Sequence, residues 1–375
     1  SDFRLRQTLH RRGRIQMSTE PAMGRSTICG RLATSLAFFV LGAGCSLLLQ
    51  GCGDDNEGGG VVVDPGTTTT VTTTTTVTTT TTVTTSTAPR AGSFLVIGDW
   101  GWDANIHGGV KSVACQQTIA DAMKEKMTAL GDVRFVINVG DSFYPGGVAN
   151  RTDPQWDTKW RNIYPKVVRS VPWYSVYGNH DLHYDSCTCS HDLEQCAQVN
   201  TNTSDLDYFY MPNVSYNVQH ENLDVEVVAL DMNYQWANQT CKYTQCPDAC
   251  FEFLKSREEK AFEFFYERMS SSQAKNMLVF SHYPSDYFKA YPKFLAELSN
   301  ASRHHVEFYG GHRHNVDNTS VISIAPNSAW VVGGGGGWGC ESYGKEQGFL
   351  VGEIGLDGAV TTYPALVNYS MCCEA

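Results

Sequence analysis

From Gly92 onward, short apolar segments recur along the chain, and most of them lead directly into Gly, Asp, Asn or His. The segments are SFLVIGD, RFVINVGD, VPWYSVYGNHD, DVEVVALD, NMLVFSHYP and VEFYGGHRH. Short runs rich in β-branched and aromatic residues are typical of buried strands. Two intervening segments, 111–130 and 254–271, have apolar residues at helical spacing. The alternation predicts an α/β fold whose polar residues gather at the carboxyl ends of the strands.

The net charge of the chain is −11, but the charge is unevenly distributed. Seven of the 28 basic residues and two of the 39 acidic residues lie in 1–31, so the remainder carries −16. An acidic body argues against nucleic-acid binding, because phosphate contacts are made mainly by Lys and Arg. An anionic substrate would need a local positive centre, which a bound metal ion supplies. We therefore expect no nucleic-acid partner.

The first 91 residues differ in composition from the rest of the chain. Residues 1–51 contain an apolar run (32–50) behind a cationic flank, which is typical of a secretory signal or of an uncleaved membrane anchor. Residues 52–91 are rich in Gly and Thr, cannot bury a core and are predicted to form an extended linker. Residues 92–375 remain as the folded domain. Either form of the leader predicts a secreted or cell-surface protein, with membrane contact only if the leader is uncleaved.

Ten Cys follow the leader and the start of the linker, most of them in local clusters. An even number of Cys in an exported chain predicts disulfides, and the lack of paired C-x-x-C motifs disfavours a structural zinc site. The pairing does not follow from the sequence. Seven sequons favour N-glycosylation on a secretory route. They are Asn150, Asn202, Asn213, Asn238, Asn300, Asn318 and Asn368.

Side chains able to bind metal ions follow the predicted strands. They are Asp99, Asp141, Tyr144, Asn179, His180, His282, His312 and His314. A phenol has an ordinary pKa of about 10, so Tyr144 becomes a good ligand only for a strongly charged cation such as Fe(III). Amide and imidazole side chains suit a divalent ion such as Zn, Fe(II) or Mn. With Asp141 as a shared ligand, the set predicts two different metal ions side by side.

Five blocks in this order resemble the purple acid phosphatases, within the calcineurin-like metallophosphoesterases. The blocks are GDWG, GDSFY, GNHD, VFSH and GHRH. The short body resembles the tartrate-resistant acid phosphatase type, and the resemblance extends from Phe94 to about Gly337. Tyr144 separates the purple enzymes from the wider superfamily. The resemblance implies a sandwich of two mixed β-sheets flanked by helices, in α/β/β/α layers, and we expect a monomer.

The same resemblance implies the role of each side chain. Fe(III) would be held by Asp99, Asp141, Tyr144 and His314. The divalent ion would be held by Asp141, Asn179, His282 and His312. An acid phosphatase of this kind hydrolyses phosphate monoesters by attack of a metal-bound hydroxide on phosphorus. His180 would donate a proton to the leaving group or clamp the substrate, and an acidic pH optimum would follow.

One position departs from the pattern of the family. A second outer histidine usually lies nine residues after the histidine of VFSH, and Tyr291 occupies that position here. Tyr287 or Tyr291 is a candidate to orient phosphate, and His183 is a further candidate for the proton donor. Asp181 is expected to orient its neighbours rather than to react.

Other interpretations of the sequence stay open. The chain could be a phosphodiesterase or nucleotide pyrophosphatase of the same fold, or a non-catalytic surface protein that uses the fold for binding. An Fe(III)/Fe(II) pair could also generate oxygen radicals from peroxide. The Cys-rich segments 185–200 and 236–251 are expected to be surface excursions pinned by disulfides, with substrate gating as the alternative. The natural substrate does not follow from the sequence.

Overall fold

The computed structural model describes residues 89–102, 115–189, 193–202, 205–300, 302–317, 328–332, 335 and 346–373. The predictions for the leader 1–51, the linker up to residue 88, Asn318 and Cys340 lie outside the described residues. Within these ranges, no helix combines the length and the apolar character needed to cross a bilayer.

Twelve strands are present in the described part of the chain. They are β1 (Arg90–Ile97), β2 (Val133–Asn138), β3 (Trp173–Ser175), β4 (Phe209–Tyr210), β5 (Tyr216–His220), β6 (Val225–Ala229), β7 (Asn276–Phe280), β8 (His305–Gly310), β9 (Val316–Asp317), β10 (Ser328–Val332), β11 (Gly348–Gly355) and β12 (Val360–Leu366). They form two six-stranded sheets, in the orders β12-β11-β1-β2-β3-β4 and β5-β6-β7-β8-β10-β9. All six predicted strands are found, as β1, β2, β3, β6, β7 and β8.

Both sheets are mixed. In the first, β1 to β4 run parallel, whereas β11 lies antiparallel to β1 and β12 antiparallel to β11. In the second, β6, β7, β8 and β10 run parallel, and the edge strands β5 and β9 are antiparallel. The parallel strands are nearly continuous apolar runs because both of their faces are buried.

The helices and shorter helical turns lie between the strands. The helices are α1 (Cys115–Leu130), α2 (Leu182–Thr188), α3 (Ala237–Thr240), α4 (Pro247–Ser271), α5 (Pro292–Leu298) and α6 (Tyr369–Cys373). The shorter turns are Trp156–Arg161, Leu193–Gln195, Asp205–Tyr208, Glu221–Leu223, Asn233–Trp236, Cys241–Tyr243 and Ser285–Ala290. The predicted helix 254–271 was placed too late, since α4 begins at Pro247, and proline is well tolerated in the first turn of a helix.

Alternate residues of each strand point to different layers of the core. Phe94 and Val96 of β1 pack in one cluster with Val227 of β6 and Leu278 of β7, so this cluster lies between the two sheets. Leu95 and Ile97 pack with apolar residues of α1 on the outer face of the first sheet. Residues of β6 and β7 that alternate with those of the inner face pack with α4 and α5. The predicted α/β/β/α layering is confirmed.

Disulfides join eight of the ten Cys considered above. The pairs are Cys115–Cys372, Cys187–Cys246, Cys189–Cys196 and Cys241–Cys250. The first pair links α1 to α6. The second joins segment 185–200 to segment 236–251, and each of the other two closes a loop within one of these segments. The prediction of disulfides is confirmed, and the two segments are pinned excursions. Such pairs fit an oxidising compartment.

Candidate metal centre

The predicted ligands come from loops that follow strands in both sheets. Asp99 follows β1, Asp141 follows β2, and Asn179 follows β3, whereas His282 follows β7 and His312 follows β8. Backbone hydrogen bonds join neighbouring loops, from Asp99 N to the Gly140 carbonyl at 2.9 Å and from Gly311 N to the His282 carbonyl at 2.7 Å. The carboxyl ends of parallel strands meet at one edge of a sheet, which brings these side chains together.

Four of the predicted ligands have left-handed backbone conformations. The φ angles are 54° at Asp99, 51° at Asp141, 68° at His312 and 52° at His314. This region is unfavourable for residues other than Gly and costs of order 1–3 kcal/mol per residue. Backbone strain of this kind clusters at sites where a side chain must be aimed at a particular point. The loops therefore bend to direct these four side chains inward.

The first group of ligand atoms lies around the Tyr144 hydroxyl. This hydroxyl is 3.2 Å from Oδ1 of Asp99 and 3.0 Å from Oδ2 of Asp141. Nε2 of His314 is 3.5 Å from Oδ1 of Asp99. Burial, followed by the charge of Asp141, raises the pKa values of Asp99 and Tyr144 well above their ordinary values. Two carboxylates and a phenolate could share this buried volume only beside a cation.

The second group lies around the side-chain oxygen of Asn179. Nε2 of His282 is 3.0 Å from this oxygen, and Nδ1 of His312 is 2.9 Å from it. Nε2 of His282 is also 3.4 Å from Oδ2 of Asp141. Asp141 therefore belongs to both groups. Its carboxylate lies within 4.8 Å of possible ligand atoms of His282 and His312 in one group, and of Asp99 and His314 in the other.

The proton positions in the second group fit a metal ion. Nδ1 of His282 lies 3.0 Å from the Val139 carbonyl oxygen, which can only accept, so Nδ1 carries the proton. Burial lowers the pKa of His282, so the ring is neutral and Nε2 has a lone pair. That lone pair faces the carboxylate of Asp141 without a proton between them. A cation would turn this repulsion into coordination, and metal-binding histidines are commonly held by a carbonyl in this way.

Burial and the neighbouring imidazoles have opposite effects on the pKa of Asp141. Burial alone would raise the pKa of Asp141, but the positive charge of His282, His180 and His312 wherever these rings are protonated, together with the backbone N–H of His180, lowers it to about 2. Asp141 is thus ionised in mildly acidic solution, as a carboxylate must be to bind a metal ion.

Asp181 supports the loops without facing the ligands. Its carboxylate accepts the backbone N–H groups of Ser142 at 3.0 Å, Phe143 at 3.0 Å and Gly178 at 2.9 Å. Burial, followed by the charge of Asp141, raises its pKa to about 7. The carboxylate therefore joins the loop after β2 to the loop after β3.

Asn138 has a similar role that the sequence analysis missed. Its side-chain oxygen accepts Trp100 Nε1 at 3.0 Å, and its amide nitrogen donates to the hydroxyls of Ser142 at 2.9 Å and Ser175 at 3.1 Å. The available signal was a polar residue at the end of the apolar run RFVIN. Trp100 is fully buried in this arrangement, as a packing residue.

His180 lies beside the first group of ligand atoms. Its backbone N donates to Oδ1 of Asp141 at 2.8 Å, and its Nδ1 lies 2.8 Å from the Pro145 carbonyl oxygen. The ring centroid is 4.5 Å from that of Tyr144 and 5.4 Å from that of His183. Burial lowers the pKa of His183 to about 4, so this ring is unprotonated at mildly acidic pH.

Tyr287 and Tyr291, the two candidates to orient phosphate, contact different partners. The Tyr287 ring lies 5.4 Å from the His312 ring. The Tyr291 hydroxyl instead donates to Oε1 of Glu258 on α4 at 2.9 Å. Arg313 forms an ion pair with Asp286. Tyr287 is therefore next to the predicted ligand His312, whereas Tyr291 is hydrogen-bonded to α4.

Comparison with known proteins adds a family match. Residues 92–316, more than half of the chain, match the model of the calcineurin-like phosphoesterases. The chain is 41% identical over 93 residues to "Purple acid phosphatase 3" of Arabidopsis thaliana, which covers 25% of this chain and 23% of that protein. It is 22% identical over 192 residues to human "Tartrate-resistant acid phosphatase type 5", covering 51% and 55% respectively. The matches thus span about a quarter of the plant relative and about half of the human one.

Among solved structures, the chain is similar to a 5'-nucleotidase from Candida albicans. The TM-score is 0.40 at 13% identity, and the superposition covers 76% of this chain and 54% of that chain. The family match and the curated relatives agree with the resemblance predicted from the five sequence blocks.

Proposed function

Because the chain belongs to the calcineurin-like phosphoesterase family, we propose that it is an acid phosphatase that hydrolyses phosphate monoesters at a pair of metal ions. The observation that carries the proposal is the shared position of Asp141 between two groups of buried ligand atoms. A phosphate ester is an anion, and the acidic body of the protein offers it little attraction except at such a centre.

The ligand set divides by chemistry into two sites. Fe(III) is assigned to Asp99, Asp141, Tyr144 and His314, because this set contains the phenol. The divalent ion, Fe, Zn or Mn, is assigned to Asp141, Asn179, His282 and His312. When bound, the two ions supply Lewis-acid activation of water and offset the charge that develops on the phosphoryl oxygens.

The side chains of this chain supply orientation and proton transfer. The Val139 carbonyl holds His282 so that Nε2 points inward. The bond from Nδ1 of His180 to the Pro145 carbonyl fixes that ring, so a proton passed to the leaving oxygen would come from Nε2. Asp181 keeps the two loops that carry Asp141 and Asn179 together.

An acidic working range is part of the proposal. Burial lowers the pKa of His314 to about 3 and also lowers the pKa values of His282 and His312. His314 therefore stays unprotonated in mildly acidic solution, and at all three histidines burial weakens the competition of protons with a metal ion for the lone pair. A surface histidine with an ordinary pKa of about 6.5 would be protonated there.

The test is a Tyr144→Phe substitution with Tyr164→Phe, at a buried tyrosine outside the ligand set, as the matched control. We expect the wild type and the control to contain iron and a divalent metal, to absorb visible light through the phenolate bound to Fe(III), and to release phosphate from phenyl phosphate. Tyr144→Phe should lose the visible band. A colourless wild-type protein without iron would contradict the assignment of the metals.

Substrate comparison separates the alternatives. Turnover of a phosphate diester far above that of a monoester would indicate a phosphodiesterase instead. Full metal loading without phosphate release from either would indicate a binding protein. Secretion or display at the cell surface is proposed from the disulfides and from the sequons, since the described sequon asparagines are all exposed. A monomer stays a prediction.

A further inference from the structure

Three aromatic side chains are exposed in the described part of the chain, and all three lie near the metal centre. They are Tyr184, Trp236 and Tyr243, with exposed fractions of 54%, 40% and 63%. Tyr184 N donates to the carbonyl of Gly146, in the loop that carries Tyr144. Large apolar rings are normally packed inside a protein, so three exposed rings around one candidate site favour a ligand-binding role for this surface.

Trp236 packs directly against a proposed metal ligand. Its ring centroid is 5.5 Å from that of His312, at an interplanar angle of 62°, and 6.2 Å from that of Tyr287. His312 is itself partly exposed and also contacts Tyr283, at 4.9 Å. These are edge-to-face or tilted contacts, which leave part of the Trp236 ring facing solvent beside the metal centre.

Tyr243 lies next to His183, which in turn contacts the proposed proton donor His180. Its ring centroid is 5.4 Å from that of His183, which lies 5.4 Å from that of His180. Trp236 and Tyr243 belong to the same short segment, 233–250, which we call the rim segment. One segment therefore places an exposed ring near the proposed ligand His312 and a second one near His183, the neighbour of His180.

The rim segment is firmly held. Gln235 donates to both carboxyl oxygens of Glu258 at 2.9 Å, and Tyr291 donates to the same carboxyl at 2.9 Å. Asn233 donates to the Tyr177 carbonyl at 2.9 Å. Disulfides Cys241–Cys250 and Cys187–Cys246 close the far end. An exposed ring on a rigid support loses little entropy when a ligand binds, which favours a binding role over a mobile cover.

We propose that Trp236 and Tyr243 form a subsite for a planar aromatic group on the ester oxygen of the substrate, with Trp236 as the main contact. The inference rests on the proposed function, because the phosphoryl group must lie at the metal centre for its substituent to reach the rim segment. Flat rings favour planar groups because stacked or edge-to-face contacts add to the area buried. Tyr291, at the position where the resemblance predicts a second outer histidine, then has a structural role here. Its hydroxyl donates to Glu258, which in turn accepts from Gln235 of the rim segment.

Binding of two phosphonates to the metal-loaded protein tests the proposal without turnover. Phenylphosphonate carries the flat ring and methylphosphonate does not, so the ratio of their dissociation constants, measured by calorimetry, isolates the contribution of the ring. We expect Trp236→Leu to reduce the preference for phenylphosphonate about two- to tenfold, and an effect of the substitution on His312 that is common to both phosphonates cancels in the ratio. Trp236→Phe, which keeps a flat ring, should retain most of the preference.

Leu356→Ala is the matched control for removal of an exposed apolar side chain. Leu356 is 71% exposed and follows Gly355, which pairs with Arg90 at the end of β1 opposite to Asp99. This variant should keep the wild-type preference. Equal binding of both phosphonates by the wild type, or an unchanged preference in Trp236→Leu, would overturn the subsite.

Phosphatase assays on the same proteins separate this inference from the proposed function. Phenyl phosphate and glycerol 2-phosphate are compared by kcat/KM, and the ratio should fall in Trp236→Leu. Turnover of both esters with an unchanged ratio would refute the subsite and leave the phosphatase intact. A protein that prefers phenylphosphonate but hydrolyses neither ester would refute the phosphatase and support the subsite.

Discussion

The buried carboxyl of Glu258 predicts an unusual dependence of stability on pH. Glu258 lies on α4, is 2% exposed and is hydrogen-bonded to Gln235 and Tyr291. Burial raises its pKa from the ordinary 4.5 to about 7, and those hydrogen bonds only partly oppose this effect. The perturbation is Glu258→Gln, which keeps the shape and a hydrogen-bonding oxygen but removes the titration.

The sign follows from which state releases the proton first. In the unfolded chain the carboxyl ionises near pH 4.5, whereas in the fold it stays protonated until about pH 7. The contribution of this group is therefore fully present below pH 4.5 and is lost as the pH rises through about 7. At about 1.36 kcal/mol per unit of pKa, the loss amounts to about 3 kcal/mol.

The assay is urea unfolding of disulfide-intact, metal-loaded protein at pH 5 and at pH 8. Relative to the wild type, Glu258→Gln should gain up to about 3 kcal/mol in free energy of unfolding between the two pH values. Other titrating groups are common to both proteins and cancel in the comparison. Glu263→Gln, at an exposed position of the same helix, should show no such gain. Parallel stability curves for wild type and Glu258→Gln would refute the reasoning.

Two further predictions concern the loops and the termini of the domain. In Gly178→Ala the new Cβ would lie 2.1 Å from Oδ1 of Asp141 and 2.3 Å from its backbone N, so the shared ligand must move. Elemental analysis should find loss of both metals, and full metal content would contradict the shared role of Asp141. The Cys115–Cys372 disulfide spans 257 residues. The double variant Cys115→Ala/Cys372→Ala should lose about 2–5 kcal/mol in urea unfolding, and an unchanged free energy of unfolding would show that this link does not matter.

The strands that could be predicted are those with strong local patterns. The apolar runs that became β1, β2 and β6 to β8 are rich in β-branched and aromatic residues and are followed closely by polar residues. The remaining strands, β4, β5 and β9 to β12, were not predicted, because most of their pairing with the predicted strands is not local. Arg90 of β1 pairs with Gly355 of β11, and no feature of either segment identifies the other. The glycines at both ends of β11 also weaken its strand pattern.

That the candidate ligands lie close together could be predicted, because most of them come shortly after a parallel strand and have side chains that can bind a metal ion. Residues that act through another side chain gave no comparable signal. In the sequence alone, Asn138 is only the last residue of a predicted strand, and Glu258 is indistinguishable from an exposed position of an amphipathic helix. Trp236 is likewise indistinguishable from a core residue. Burial and hydrogen bonds decide their roles, and both depend on elements far away in the chain. Tyr291 shows the limit of arguing from position alone, since its hydroxyl binds Glu258.

The metal centre and the rim segment are built by different means, which allows them to change separately. The candidate ligands come from loops at strand ends in both sheets. Backbone hydrogen bonds between these loops hold the left-handed conformations of Asp99 and Asp141, so displacing either residue disturbs the strands next to it. Trp236 and Tyr243 come from a single connection that disulfides and the Glu258 carboxyl attach to the domain. A substitution at either ring alters the surface beside the centre without moving a strand. Under the proposed function, the fold constrains the chemistry of the centre, whereas the proposed preference for an aromatic substituent depends on one surface segment.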